Sequence, residues 1–179
     1  MMTADQLKDG LRTAAFLLSY PDAAWRAGLD EAEAAADALC GQPAAQLAAF
    51  VAAARAADAQ EFEKRYVDAF DFNKDTSLYL TSRDRGDDAQ RRTDMLAYAV
   101  FFTEAGYTPE GESPDYLPAV LELAAQAAPE VAARLIRTAT PDVASLETAL
   151  EAHDLSDYAQ VVGAAIALAS AYEKEAVLA

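Results

Sequence analysis

Apolar positions recur three and four residues apart through most of this chain, the spacing of one face of an α-helix. Leu7, Leu11, Ala14, Ala15 and Leu18 mark a first amphipathic helix. Ser19-Tyr20-Pro21-Asp22 ends it, because proline disfavours helical geometry in the residue before it. An alanine-rich helix is expected from about Ala23 to Leu39, closed by Gly41. Pro43 suits the first turn of a third helix carrying Leu47, Phe50 and Val51. Phe62, Tyr66, Ala69 and Phe70 form the next stripe, on a helix starting near Asp58.

From about 71 to 89 the regularity fails. Asp-Phe-Asn-Lys-Asp-Thr-Ser is turn chemistry, Leu78-Tyr79-Leu80 is a short apolar burst that should pin the connection to the core, and 82–88 is charged. Helical spacing resumes at Gln90 with Met95, Tyr98, Phe101 and Phe102, and stops at Gly106. After a loop from Tyr107 to Glu112, Ser113-Pro114 reads as a cap followed by proline in the first turn of a helix bearing Leu117, Val120, Leu121 and Ala124. Pro129 and Pro141 each read as helix starts, the second capped by Thr140. Tyr158, Val161, Val162, Ala165, Leu168, Ala169 and Tyr172 define a last helix. No strand-like alternation or fixed-period repeat is visible. The expectation is an all-α, single-domain bundle of about eight or nine helices over residues 1–179, with an irregular central connection at about 71–89.

Composition sharpens this picture. Hydrophobic residues make up 53% of the 179, but 45 of them are alanine, so larger apolar side chains account for only about 28%. Alanine is the best helix former, and β-branched residues are scarce. The 30 acidic residues outnumber the 14 basic ones, a net charge of −16 and a pI near 4.2. That field repels phosphate backbones and argues against nucleic-acid binding; it would draw in a cationic or amphipathic basic partner, and it equally suits solubility or a high-salt habitat. The start of the chain has no apolar leader pattern, and no window approaches 18 apolar residues, so no membrane insertion is expected and the cytoplasm is the expected compartment. Cys40, the single cysteine, reads as a small hydrophobe at a helix end.

Catalytic patterns are absent from the sequence. There is no GxGxxG, no GxxxxGK[ST] and no GxSxG. One cysteine and one histidine cannot assemble the usual zinc sites, and His153 reads as a cation near a helix end. An alternative of another class, a carboxylate-metal helical oxidase, wants Glu-x-x-His pairs on two helices, and neither occurs. Asp30, Glu31 and Glu33 read as a solvated face. No enzyme, no bound metal and no stably bound cofactor are expected; a binding protein is.

One passage is more telling. Glu112-Ser113-Pro114-Asp115-Tyr116-Leu117-Pro118 resembles the E-x-P-D-[YH]-[LI] signature of the TorD/DmsD/NarJ superfamily of molybdoenzyme assembly chaperones. Leu17-Leu18-Ser19-Tyr20-Pro21-Asp22, Tyr66-Val67-Asp68-Ala69-Phe70-Asp71 and Thr76-Ser77-Leu78-Tyr79-Leu80-Thr81 resemble its nitrate reductase branch, in family order, between about residues 11 and 125. The family's basic, glycine-ending run corresponds either to Ser82-Arg83-Asp84-Arg85-Gly86 or to Gln90-Arg91-Arg92-Thr93.

The resemblance implies a TorD-like helical fold and a chaperone without turnover. It would bind the N-terminal segment of a molybdoenzyme catalytic subunit, most simply respiratory nitrate reductase, and assist insertion of its molybdenum bis-guanine-dinucleotide cofactor before membrane docking. The alternative within the superfamily is a chaperone for a twin-arginine-exported dimethyl sulfoxide, trimethylamine oxide or selenate-type reductase. A monomer or a domain-swapped dimer is compatible with a bundle whose halves are joined by a long connection. A client helix would lay its apolar side in a groove. Tyr66, Phe70, Leu78, Tyr79, Tyr116 and Leu117, with Tyr20, Glu112 and Pro114, are the candidate residues for that site. Asp115 is expected near a helix N-terminus, free to pair with a client Lys or Arg. Taken alone, the Tyr66 and Phe70 stripe reads more simply as plain core, and Trp25 fits either core or groove.

Overall fold

The computed structural model describes residues 2–82, 88–109 and 111–178. Nine α-helices occur among them: α1 (Ala4–Leu17), α2 (Ala23–Ala27), α3 (Leu29–Asp37), α4 (Gln42–Ala56), α5 (Ala59–Phe70), α6 (Asp88–Ala105), α7 (Leu117–Gln126), α8 (Pro129–Ala152) and α9 (Ser156–Leu178), plus a 3₁₀ turn at Lys74–Thr76. The all-α architecture is the expected one. α9 packs against α8, α1 and α4, α7 lies along α1, and α3 fills the angle between α1 and α4. One contiguous apolar core threads these helices, and the last helix buries all seven residues of its expected face.

The helix ends follow local chemistry. Thr3 closes a reciprocal capping box with Gln6, Asp22 accepts the backbone N–H of Trp25 at 2.8 Å, and Asp58 caps α5 through the N–H groups of Gln60 and Glu61. Trp25 settles in the core, stacked between Phe16 and Phe62, with its indole N–H on the carbonyl of Phe16 at 2.7 Å.

Four expectations need correction. The helix read from Ala23 to Leu39 is two, broken at Gly28, where a Cβ would meet the ring of Phe16. Pro141 does not restart a helix: α8 runs through it. Proline there withholds the N–H due to the carbonyl of Arg137, and Thr140, far from capping, donates its hydroxyl to Ile136 at 2.7 Å. Leu135, Ile136 and Ala139 before the proline and Val143, Leu146 and Leu150 after it are buried on one continuous side, and that apolar face outweighs the lost bond. Ser113-Pro114 likewise does not open α7, which begins at Leu117 with Pro118, not Pro114, in its first turn. Finally, Cys40 is exposed, because the chain leaves α3 at Asp37 and anchors itself through buried Leu39 instead.

Of the two arginine-containing runs, Arg83 to Gly86 lie outside the described residues, whereas Arg91 and Arg92 are exposed in the first turns of α6. Asp30 and Glu33 are at the surface as expected and meet Arg55 at 2.5 and 2.9 Å, while Glu31 is exposed. His153 ends α8, as read from the sequence, and contacts Asn73 at 3.3 Å. No helix among the described residues is long and apolar enough to cross a membrane.

Candidate functional site

The apolar burst and the Pro-Asp-Tyr-Leu passage, 34 to 39 residues apart in sequence, are hydrogen-bonded to each other. Leu80 donates its N–H to the carbonyl of Asp115, and Leu117 donates to the carbonyl of Leu78, both at 2.9 Å. Tyr79 and Tyr116 thereby form an antiparallel bridge, a single rung of sheet in a helical protein. A lone rung has little stability of its own, and two further sets of contacts hold it.

Side chains supply the first set. Asp115 is only 1% exposed, and its carboxyl oxygens accept from the backbone N–H of Thr81 at 3.1 Å, the hydroxyl of Thr81 at 2.6 Å and the hydroxyl of Ser113. The expected free first-turn carboxylate is therefore an internal pin, since the chain arrives at α7 through a turn that points Asp115 back at the 77–82 segment. Apolar anchoring supplies the second set: Leu78, Leu80 and Leu117 are buried in the core on either side of the rung. Thr76 extends the attachment by donating its hydroxyl to the carbonyl of Ala69 at the end of α5.

The tyrosines form a continuous path across this clasp. Tyr20, 47% exposed, sets its ring edge-on against Tyr66 at 5.6 Å. Tyr66 is buried, donates to the carbonyl of Leu18 at 2.9 Å, and lies 3.4 Å, oxygen to oxygen, from Tyr116. The rings of Tyr116 and Tyr79 are 5.2 Å apart, and Tyr79 donates to Glu112 at 2.6 Å. Phe70 stands behind, packed on Tyr66 and Tyr158. Burial pushes the hydroxyls of Tyr66 and Tyr116 above their ordinary range, and the bond to Glu112 does the same to Tyr79, so all three remain neutral donors at neutral pH.

All ten sequence-named residues thus share one neighbourhood but divide by exposure. Tyr20 and Glu112 are exposed and Pro114, Tyr79 and Tyr116 half-buried, whereas Asp115, Leu117, Tyr66, Phe70 and Leu78 are buried. Beside Tyr116 opens a groove of about 480 Å³ with Phe102, Tyr107, Pro109, Pro118 and Leu123 among its walls. Glu112 and Glu122 stand on it, and none of the described lining residues is basic. Sequence reasoning missed Thr81 as the partner of Asp115 and the α6 and α7 walls of the groove. Tyr107 was visible as an aromatic residue in an exposed loop, but a contact 34 residues long leaves no mark in one sequence. Among the described residues, no three His, Cys, Asp or Glu side chains gather as a metal site would require.

Comparison with known proteins identifies the family. The family model for the nitrate reductase delta subunit matches residues 33–162, a stretch that contains the whole clasp but begins after Tyr20. The probable nitrate reductase molybdenum cofactor assembly chaperone NarJ of Bacillus subtilis (strain 168) is 34% identical over 148 residues, 82% of this chain and 80% of the relative. The nitrate reductase-like protein NarX of Mycobacterium tuberculosis (strain ATCC 25618 / H37Rv) is 38% identical over 152 residues, 84% of this chain but 23% of that much longer protein. The segments that the clasp ties together thus fall within a match covering most of the fold, and the chain belongs to the nitrate reductase delta subunit family.

Proposed function

We propose that this chain is an assembly chaperone for a nitrate reductase, holding the N-terminal segment of its catalytic subunit in the cytoplasm while the molybdenum bis-guanine-dinucleotide cofactor is inserted, before the subunit docks at the membrane. The observation that carries this reading is the half-buried Tyr79–Tyr116 pair, fixed by the clasp, with Tyr116 on the wall of a groove that mixes aromatic and apolar side chains with polar ones and two glutamates. Family membership and the likeness to the Bacillus chaperone support it independently.

The site works by binding alone. Tyr20, Tyr79, Tyr116 and Pro114 offer rigid, amphipathic surface at small entropic cost, the kind that dominates peptide recognition. Glu112 and Glu122 attract and orient a Lys or Arg of the client segment, and the net charge of −16 speeds encounter with a cationic segment. Asp115, Leu117, Leu78, Tyr66 and Phe70 contribute as the frame that positions this surface. Apolar client side chains enter the groove as one face of a helix. The chain performs no chemistry on the cofactor, which is the client's.

Calorimetric titration of the protein with a synthetic peptide of the reductase's N-terminus, at low and moderate salt, tests the proposal. Saturable one-to-one binding that weakens as salt rises is expected. A soluble peptide of the right sequence that does not bind at either salt concentration overturns it.

A further inference from the structure

A larger groove, of about 590 Å³, runs between α1 and α3. Its floor includes Ala32, Ala35 and the ring of Phe16, and Asp9 and Glu31 stand at its edges. Among its described lining residues the one basic group is Arg12, whose guanidinium donates to Asp9 at 2.8 Å. The same guanidinium reaches over to α7 and donates to the carbonyl of Ala125 at 3.4 Å. Ala125 precedes Gln126, which lines the groove beside the clasp. Arg12 therefore lies between the two grooves, on the wall of the first and bonded to the helix that lines the second. Ser19, just past α1, lines one groove and Gln6, near its start, lines the other. Along the helix axis those residues are about 20 Å apart.

Resting on the chaperone reading, we infer that the two grooves form one binding path across α1, and that its occupant is a single client helix of about 14 residues or more. The charges along the path alternate. Glu112 and Glu122 flank its first part, Arg12 marks the crossing, and Asp9 and Glu31 flank its far part. A helix that fits carries basic residues toward both ends and an acidic or neutral polar residue in the middle. An acid there competes with Asp9 for Arg12, whereas a lysine meets a like charge. The path thereby reads the order of charges in the client and not only their sum.

Peptides tiled along the N-terminal region of the reductase's catalytic subunit decide the matter by calorimetry. The set pairs pieces of about 12 residues, too short for both grooves, with pieces of about 24 residues that contain the best short binder. The longer peptide is expected to bind about tenfold tighter. Ala35→Trp, which fills the far groove, and Glu31→Lys, which reverses an exposed rim charge, should each remove most of that gain and leave the short peptide's affinity unchanged. Circular dichroism checks the fold, and Glu31→Lys carries the test alone if Ala35→Trp is misfolded. Equal affinities for short and long peptides, or a gain that survives Glu31→Lys, overturns the continuous path while leaving the chaperone reading intact. Binding of no peptide to the unaltered protein removes both.

Discussion

Along α9, Tyr158, Val161, Val162, Ala164, Ala165 and Leu168 are buried against apolar neighbours, and the α8–α9 pair they anchor is held by burial that has no preferred direction. The clasp is held differently. Thr76, Ser77 and Asp115 are three of the four buried polar or charged residues among those described, and all three belong to it, Ser77 by accepting the N–H of Tyr79 at 3.3 Å. Buried polar groups are stable only when fully paired, and their geometry is strict. The helical core therefore tolerates substitution by volume, whereas the clasp depends on particular atoms. That strictness fits the proposed role of the clasp, which is to present two tyrosines at a fixed spacing.

Even the unpaired hydroxyls follow this division. Tyr66 and Tyr158 belong to one aromatic cluster with Phe70. Tyr66 has Leu18 and Tyr116 as partners, while the buried hydroxyl of Tyr158, on the core side, has none among the described residues.

The comparison can be broken at its strong side first. Leu146→Ala, at a fully buried position of α8, should cost about 2–5 kcal/mol in urea denaturation. Client-peptide affinity of the fraction still folded should not change. A large fall in affinity would mean that core and clasp are not separable.

Asp115→Ala should follow, at about 1–3 kcal/mol, because it strands the N–H and hydroxyl of Thr81. Here affinity should fall together with stability, since the Tyr79–Tyr116 pair loses its frame. Unchanged affinity in a stable variant would show that the clasp does not position the binding surface.

A pair of conservative changes sharpens the contrast. Tyr66→Phe should lose about 1 kcal/mol with its bond to Leu18, whereas Tyr158→Phe should be neutral or slightly stabilising, having no bond to lose. Equal costs for the two would erase the distinction.

The smallest effect is in the response to alkali. Tyr66, Tyr116 and Tyr158 have folded values raised above the ordinary 10.0, each chiefly by burial. Their contribution is fully present below pH 10 and is lost as pH rises from there toward the folded values, because only the unfolded chain releases those protons easily. Stability by urea denaturation should be flat in this respect below pH 10 and decline above it, less steeply in Tyr66→Phe. An unchanged slope in that variant would place the loss elsewhere.

Helical periodicity, the chemistry of Asp22 and Asp58 and the failure of pattern after Phe70 made most of the architecture legible in advance, since each is a property of neighbours in sequence. Pro141 misled for the same reason: a proline is a local signal, whereas what carries α8 through it is the burial of its own apolar face against α9 and α7, which only the packed fold supplies. Gly28 was silent because its meaning rests on Phe16 twelve residues away.

The sequence by itself determined that the protein is helical, acidic and without the usual catalytic motifs, and it marked ten residues that belong to one neighbourhood. Only the tertiary structure decided which of them face outward. It paired Asp115 with Thr81 and Tyr79 with Tyr116, and it turned an expected client-binding carboxylate into an internal pin. Periodicity encodes which side of a helix is apolar, but a contact between segments depends on where the whole core brings them, and no local pattern records that.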